Sequence, residues 1–214
     1  MRASAIPASE YVPTADHRVV LHRISWAGFE ELLRLKGDAS TPRLAYIGGE
    51  LELMSPSKRH EYIKSLIGRL AEAYADEVSI ELSPYGSWTL KNAPLEAGVE
   101  PDECYIVGPD QDKDVPDLVI EVVWTSGGLD KLEIYRRLGI REFWQWKAGR
   151  LSVHVLRKGR YVLTESSVVL PGLDVNLLAS CLDRSTRQRA LRAFRQLCAR
   201  RLQRSTGSRR RGEP

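Results

Sequence analysis

The spacing of apolar residues along the chain alternates between the period of an α-helix and the short runs typical of β-strands. Helices are predicted over residues 26–36, 59–74, 129–138, a short stretch within 171–181, and 184–203. Apolar and β-branched runs predict two strands within 43–54 and others over 78–82, 87–90, 101–107, 117–124, 140–146, 151–156 and 160–163. A helix between two strands is typical of a βαβ unit. We therefore expect an α/β (α+β) fold with a mixed β-sheet flanked by helices.

The same pattern divides the chain into three segments. Residues 1–22 contain scattered Pro, Ala and Ser with little periodicity, so we expect a flexible or loosely docked N-terminal arm. Residues 23–181 carry most of the predicted elements and, within a chain of 214 residues, suit one domain with a sizeable core. Residues 182–214 predict an Arg-rich helical tail that is disordered at its end.

Charge is distributed unevenly, although the net charge is only +4. From Leu182 to the end, eleven Arg stand against Asp183 and Glu213, which leaves residues 1–181 with a net charge near −5. Two interpretations of the basic segment stay open. It is either an arm that contacts the phosphates of a nucleic acid or a solvated amphipathic helix.

Composition excludes several classes of protein. No apolar run approaches the roughly 20 residues of a membrane span, and the N-terminus lacks the apolar stretch of a signal peptide. We expect a cytoplasmic location and no membrane partner. Cys104, Cys181 and Cys198 are widely spaced and have no His at ligand spacing, so neither a disulfide framework nor a zinc site is predicted.

Candidate chemistry begins with Glu121, which lies in the middle of an apolar strand. A carboxylate in a buried strand requires a cation, a metal or several hydrogen-bond donors. Asp117 lies on the same strand face but about 13 Å away along the strand, too far to share one small ion. A second carboxylate must come from a neighbouring strand, and Asp102, at the start of the strand 101–107, is the candidate.

Lys131 is the third member of the predicted site. It shares the apolar stripe of its helix with Ile134 and Tyr135, so its ammonium is expected to point inward. Two carboxylates and a lysine suit metal-assisted hydrolysis of a phosphodiester: Asp102 and Glu121 would hold Mg²⁺. Lys131 would orient or deprotonate a water, or stabilise the negative charge of the transition state. The alternative is a structural ion pair between Glu121 and Lys131.

Two further residues have less certain roles. Glu50 follows the turn at Gly48-Gly49 and either faces solvent or leans toward the carboxylates. His60 lies in the first turn of the helix 59–74, where it is either a capping or surface residue or a ligand.

Taken together, these residues resemble a known family. The resemblance is carried by Pro101-Asp102, by Glu121 within Pro-Asp-Leu-Val-Ile-Glu-Val, by Lys131 with Tyr135, and by Gly139-Ile140-Arg141-Glu142-Phe143-Trp144. Gly49-Glu50-Leu51, Met54-Ser55-Pro56, Arg59-His60 and Leu170-Pro171-Gly172-Leu173 add to it. The combination is similar to the Uma2 family of restriction-endonuclease-like proteins, within the PD-(D/E)XK nuclease superfamily, over residues 44–178.

The resemblance implies a mixed β-sheet flanked by helices, a nuclease-like domain over 23–181, and hydrolysis of DNA with Mg²⁺, or Mn²⁺ in its place. It implies that Asp102 and Glu121 are the acidic ligands and Lys131 the catalytic lysine, with Glu50 and His60 in supporting positions. The superfamily's simplest pattern has the lysine two residues after the glutamate, where this chain has Val123. The lysine must therefore reach the site from the following helix.

The alternatives are a catalytically inactive nucleic-acid-binding module and a protein-interaction domain on the same fold. A homodimer is expected if the chain makes double-strand breaks with one site per copy. No base-reading element is recognisable, so the sequence predicts neither a target sequence nor a preference among single strands, double strands and RNA.

Overall fold

The structure is a computed structural model that describes residues 14–184 and 186–209, with side chains as far as residue 201. It contains eleven strands and five α-helices within these residues. The strands are β1 His17–Leu21, β2 Arg43–Ile47, β3 Glu50–Ser55, β4 Leu82–Pro84, β5 Leu90–Asn92, β6 Ala97–Val99, β7 Glu103–Val107, β8 Leu118–Val123, β9 Glu142–Lys147, β10 Arg150–Arg157 and β11 Arg160–Thr164. The helices are α1 Trp26–Lys36, α2 Lys58–Glu77, α3 Lys131–Arg137, α4 Val175–Ser180 and α5 Arg187–Arg209.

These strands form two sheets. The first has the order β1-β3-β2-β6-β5, and the second has the order β11-β10-β9-β8-β7-β4. The second sheet is mixed, since β8 and β9 run parallel while its other neighbours are antiparallel. Helix α3 makes the crossover between β8 and β9, which is the predicted βαβ unit. The expected α+β fold with helices against a mixed sheet is confirmed. Strands β2 and β3 were also predicted, but their place in a separate first sheet was not.

Strand β8 lies at the centre of the second sheet and separates two layers of core. Leu118, Ile120 and Val122 belong to the core that includes helix α2. Val119 belongs to the core shared with α3 and the first sheet. Because side chains alternate across a strand, Glu121 lies on the same face as Val119 and therefore on the side of α3.

Helix α2 is a 20-residue element, longer than the predicted 59–74. Ser57 caps it, because the Ser57 side chain accepts a hydrogen bond from the His60 amide. Its buried face packs against β8 and carries Ile63, Leu66 and Ile67 in its first half. The helix thus covers one face of the sheet, as its apolar spacing predicts.

Both predicted ends of the domain need correction. The expected arm over 1–22 is too long, because His17–Leu21 form a strand paired with β3, while residues 1–13 lie outside the described part. The expected tail over 182–214 is not separate from the domain. Helix α5 packs on α2 and α4, and Phe194 is fully buried in the same core as β8. The helix also continues to Arg209, past the residues where disorder was expected to begin, and residues 210–214 are not described.

Smaller differences lie in the middle of the chain. The strands predicted over 78–82 and 87–90 are displaced to Leu82–Pro84 and Leu90–Asn92, because α2 extends to Glu77. Strand β6, where no strand was predicted, pairs with β2 and β5. The three cysteines are buried free thiols. Within the described residues, no helix has the length and apolar character to cross a membrane.

Candidate active site

Glu121, Lys131 and Tyr135 come together as the alternation of β8 requires. Lys131 Nζ donates to Glu121 Oε2 at 2.7 Å, and the Tyr135 hydroxyl donates to Glu121 Oε1. Lys131 and Tyr135 are four residues apart on α3, so both side chains leave the same face of the helix. The inward direction of Lys131 is confirmed, and the lysine reaches Glu121 from the helix.

Glu121 and Lys131 lie in the wall of a small cleft of about 80 Å³. The cleft lies between the end of β8, the loop that leads to α3, and the first sheet. Its lining residues include five that are charged and one amide, namely Arg18, Glu52, Glu121, Asp130, Lys131 and Gln145. Gln145 faces this region because it pairs directly with Glu121 in the parallel β8–β9 ladder.

The electrostatics of the cleft keep Lys131 charged. Burial opposes the charge of the ammonium, but the carboxylates of Glu121 and Asp102 outweigh it and raise the pKa of Lys131 above its ordinary value. Burial raises the pKa of Glu121, and the nearby charge of Asp102 adds to this, while Lys131 opposes it. Burial also raises the pKa of Tyr135, which therefore remains a hydrogen-bond donor. Lys131 is thus a fixed cation rather than a proton acceptor at neutral pH.

Asp102 lies outside this cleft, in a sealed pocket where it has no exposed surface. Its Oδ2 accepts hydrogen bonds from the Val122 amide at 2.7 Å and from His60 Nε2 at 2.9 Å. Its Oδ1 accepts from Arg43. Burial disfavours the carboxylate, but His60 and Arg43 together hold the pKa of Asp102 well below its usual range. Both oxygens of Asp102 are therefore occupied by donors.

His60 completes a buried chain of charges. Its Nδ1 lies 3.1 Å from Asp16 Oδ2, and its Nε2 lies against Asp102. Although burial opposes protonation, these two carboxylates raise the pKa of His60 to about 9. His60 is consequently an imidazolium between two aspartates. His60 is neither a surface residue nor a residue that lines the cleft. The sequence could not have indicated its contact with Asp16, because Asp16 lies in the segment predicted to be an arm.

The sequence left open whether Glu50 faces solvent or leans toward the carboxylates. In the structure Glu50 faces solvent, and Glu52 lies with Glu121 in the cleft wall. Glu50 forms an ion pair with His22, and 41% of its side chain is exposed. Glu52, two residues further along β3, is almost completely buried and lines the cleft. The solvent interpretation of Glu50 therefore agrees with the structure. Sequence reasoning missed Glu52. Glu50 and Glu52 are two residues apart in one strand, so their side chains lie on the same face, and this spacing could have indicated Glu52 as a second candidate.

Glu52 and Arg18 also hold the loop that leads to Lys131. Glu52 Oε2 accepts from the Leu129 amide at 2.9 Å. Arg18 Nη1 donates to the carbonyl oxygens of Thr125 and Gly127. Gly128 has φ of +95°, and a Cβ there would lie 1.9 Å from Glu52 Oε2. The loop therefore fits against Glu52 only with glycine at this position.

A divalent cation fits this donor set in part. Mg²⁺ takes oxygen ligands and commonly uses one or two carboxylates together with waters. Glu52 and Glu121 line the same cleft, but Arg18 lies beside Glu52, with Nε 3.8 Å from Glu52 Oε1, and its positive charge opposes a bound cation. Asp102 could act as a further ligand only if its hydrogen bonds to Arg43, His60 or the Val122 amide were broken. No group of three or more His, Cys, Asp or Glu with an arrangement suited to a metal occurs in residues 14–184 and 186–209.

The chain is thus an α+β protein in which a buried glutamate of the central strand meets a lysine from the crossover helix. Residues 29–192 match the model of the Uma2 family, described as "Putative restriction endonuclease". The chain belongs to this family.

Comparison with solved structures and curated proteins adds little detail. The chain is similar to a structure from Anabaena variabilis described as "a putative nuclease belonging to DUF820". The two share 14% sequence identity, with a TM-score of 0.46 and coverage of 75% of this chain and 96% of that one. No curated protein matches the chain.

Proposed function

We propose that this protein is a divalent-metal-dependent endonuclease that hydrolyses phosphodiester bonds in DNA. The observation that carries the proposal is the Glu121–Lys131 pair in the wall of the cleft, with Nζ and Oε2 2.7 Å apart. A carboxylate and a permanent cation beside an open space are the groups that metal-assisted phosphodiester hydrolysis requires of a protein. Membership of the restriction-endonuclease family supports a nucleic acid as the substrate.

In this proposal Glu121 and Glu52 would hold the cation, which is Mg²⁺ or Mn²⁺, because they are the buried carboxylates among the residues that line the cleft. When bound, such an ion polarises a phosphate oxygen and lowers the pKa of a coordinated water. The Tyr135 hydroxyl fixes one oxygen of Glu121 by hydrogen bonding, which leaves the carboxylate in one orientation.

Lys131 acts through its charge. The carboxylates around it raise its pKa, so it keeps its proton at neutral pH and cannot serve as the general base. A fixed ammonium in a small, largely buried cleft stabilises the negative charge that develops on the phosphate in the transition state. Of the roles that the sequence left open for Lys131, this one fits the electrostatics best.

Asp102 takes a different role in this proposal from the ligand role that the resemblance implies. Its Oδ2 accepts from the Val122 amide, the residue next to Glu121 in β8. We propose that Asp102 is a positioning residue that fixes this part of β8, while Glu52 supplies the second carboxylate at the cleft. His60 supports Asp102 from α2, so its role is also indirect.

Nicking of supercoiled plasmid DNA tests the proposal. The wild-type protein is expected to nick DNA with Mg²⁺ or Mn²⁺ and to stop when EDTA is added. Lys131→Met removes the cation that stabilises the transition state and should lower the rate by roughly 10²–10³-fold. Glu121→Gln should abolish metal-dependent nicking because the central ligand is lost.

Glu50→Gln is the matched control for these variants. It removes a carboxylate on the same strand as Glu52, but from an exposed ion pair with His22. Its nicking rate should equal that of the wild type. Equal nicking by all four proteins would identify a contaminating nuclease and would refute the proposal.

A nucleic-acid-binding module without catalysis is the second candidate. One observation favours it: Glu121 already has donors on both oxygens, so the buried pair is complete without a metal. Binding of DNA that persists in EDTA, together with no cleavage under any metal, would support this candidate over the nuclease.

A further inference from the structure

As far as residue 201, the exposed charged side chains of helix α5 are all arginines. The helix contains eight Arg and no Asp, Glu or Lys between Arg187 and Arg209. Solvated helices usually mix both signs, because pairs of opposite charge three or four residues apart stabilise a helix. Here Arg189, Arg192 and Arg195 repeat at a spacing of three, which places like charges side by side. This arrangement destabilises the isolated helix, so solvation alone does not account for it.

The opposite side of the helix is firmly attached to the domain. Ala190, Phe194 and Cys198 are buried in the core that also contains α2 and β8. Their spacing of four residues gives one inward stripe, and it directs the arginines at other positions outward. The charged face is therefore held in a fixed orientation on a folded domain.

Few carboxylates neutralise this face. Arg195 lies 4.0 Å from Glu77, and Arg201 pairs with Asp174. Arg184, Arg187 and Arg192 are exposed and form no ion pair with the part of the chain that the structure describes. The charge of these three side chains faces outward.

The face also contains a hollow that can seat an anion. It has a volume of about 460 Å³ and is lined by Asp183, Arg184, Arg189, Arg192, Ala193 and Gln196. Three guanidinium groups and one carboxylate give it a net positive charge, and Gln196 adds an amide donor. Guanidinium groups bind phosphate through two parallel hydrogen bonds, which suits them better than lysine to this task.

We propose, building on the proposed nuclease function, that Arg184, Arg187, Arg189 and Arg192 form a docking surface for the phosphate backbone of the nucleic acid substrate. Phosphate contacts fix the position of a protein on nucleic acid without selecting a sequence. The partner is a nucleic acid rather than another polyanion because the domain that holds the helix belongs to a nuclease family. Helix α5 packs on the α2 side of the second sheet, whereas Glu121 and the cleft lie on the α3 side. The surface would therefore hold a part of the nucleic acid away from the part that is cut.

Binding of dye-labelled duplex DNA, measured by fluorescence anisotropy in EDTA at several salt concentrations, tests the surface. The triple variant Arg184→Gln, Arg187→Gln and Arg192→Gln leaves the buried side of α5 and the two acid-paired arginines intact. We expect affinity to fall at least about 10-fold at 0.1 M salt, and the slope of log affinity against log salt to drop by about 1 for each lost phosphate contact.

The matched control removes the same charge from another surface. Arg150, Arg157 and Arg160 lie on the β10–β11 region and are exposed, and all three are changed to Gln. Affinity and salt slope should then stay close to wild type. Equal losses in the two triple variants, or no loss in the α5 variant, would overturn the proposal. Circular dichroism and thermal unfolding of both variants verify that they are folded.

Two further measurements separate this surface from its alternatives. Vesicles rich in phosphatidylserine provide an anionic surface without nucleic acid; an α5 variant that loses vesicle binding but keeps DNA binding would overturn the proposal. Plasmid nicking by the wild type tests the cleft independently. Nicking with unchanged DNA binding in the α5 variant refutes the surface alone, whereas Arg-dependent binding without nicking refutes the nuclease alone.

Discussion

Asp102 and Glu121 are two buried carboxylates on neighbouring strands, but their surroundings differ. Asp102, immediately before β7, is closed off from solvent, and its oxygens accept from Arg43, His60 and the Val122 amide. Glu121, in β8, has one cationic partner and faces a cleft.

The difference shows in the pKa values. The donors around Asp102 lower its pKa in spite of burial, whereas burial prevails at Glu121 and raises it. A buried carboxylate such as Asp102, held by three donors, has a structural role, since exchanging any of these donors for another partner would cost free energy of folding. Glu121 also has a donor on each oxygen, but these two donors do not offset its burial, so an added cation in the cleft would stabilise its charged form. The contrast indicates that two acids which the sequence treats as equals perform different tasks.

The largest expected effect comes from breaking the sealed pocket. Asp102→Ala leaves His60 and Arg43 buried without their shared carboxylate, and removal of one partner from a buried charge network costs about 3–5 kcal/mol. The free energy of unfolding, measured with urea, should fall by this amount. Asp102→Asn keeps an acceptor for the Val122 amide and should cost less. An Asp102→Ala protein as stable as wild type would mean that the pocket is not a structural network.

A second expected effect concerns the pH dependence of stability. His60 has a pKa raised from 6.5 to about 9 in the folded protein, so its contribution is fully present below pH 6.5 and is lost as pH rises toward 9. The shift corresponds to a contribution of up to about 3 kcal/mol. The thermal unfolding temperature of the wild type should fall between pH 6.5 and 9. In His60→Gln the part of this fall that is due to His60 should be absent.

The His60 comparison isolates one group from others that titrate nearby. The pKa of Glu121 is also raised, so its ionisation disfavours folding as pH rises, in the same direction as loss of the His60 proton. Glu121 is present in both proteins, so the difference between wild type and His60→Gln reports His60 together with the Asp16 and Asp102 carboxylates that it contacts. Parallel pH profiles would show that His60 is neutral in the folded protein.

The smallest expected effect concerns Mn²⁺ binding at the cleft, and it is tested by comparing Glu52 with Glu50. Glu52→Gln should weaken Mn²⁺ binding, measured by titration calorimetry, by roughly 10-fold or more. Glu50→Gln should leave Mn²⁺ affinity unchanged and alter the free energy of unfolding by less than about 1 kcal/mol, since it ends only an exposed ion pair. Strong Mn²⁺ binding by Glu52→Gln, with loss in Asp102→Asn, would return the ligand role to Asp102.

Much of the second sheet followed from local patterns. The β-branched run around Glu121, the helix stripe that contains Lys131 and the glycine that follows it predicted strand, helix and strand in the observed order. The pairing of Lys131 with Glu121 followed as well, because the direction of a side chain on a helix or strand is fixed by its position within the repeat. The first sheet was harder, because its strands are short and β1 lies in a segment of weak periodicity.

The sequence by itself determined that a carboxylate and a lysine would meet beneath a central strand, because helix and strand periods are local properties of the chain. Only the tertiary structure decided which other charges join them. Glu52 reaches Leu129 across 77 residues, and Asp16 reaches His60 across 44. Contacts between such distant segments depend on how two sheets pack together. The periodicity of either segment does not depend on that packing. It therefore could not predict that Glu52 rather than Glu50 lines the cleft, or that Asp102 is buried outside it.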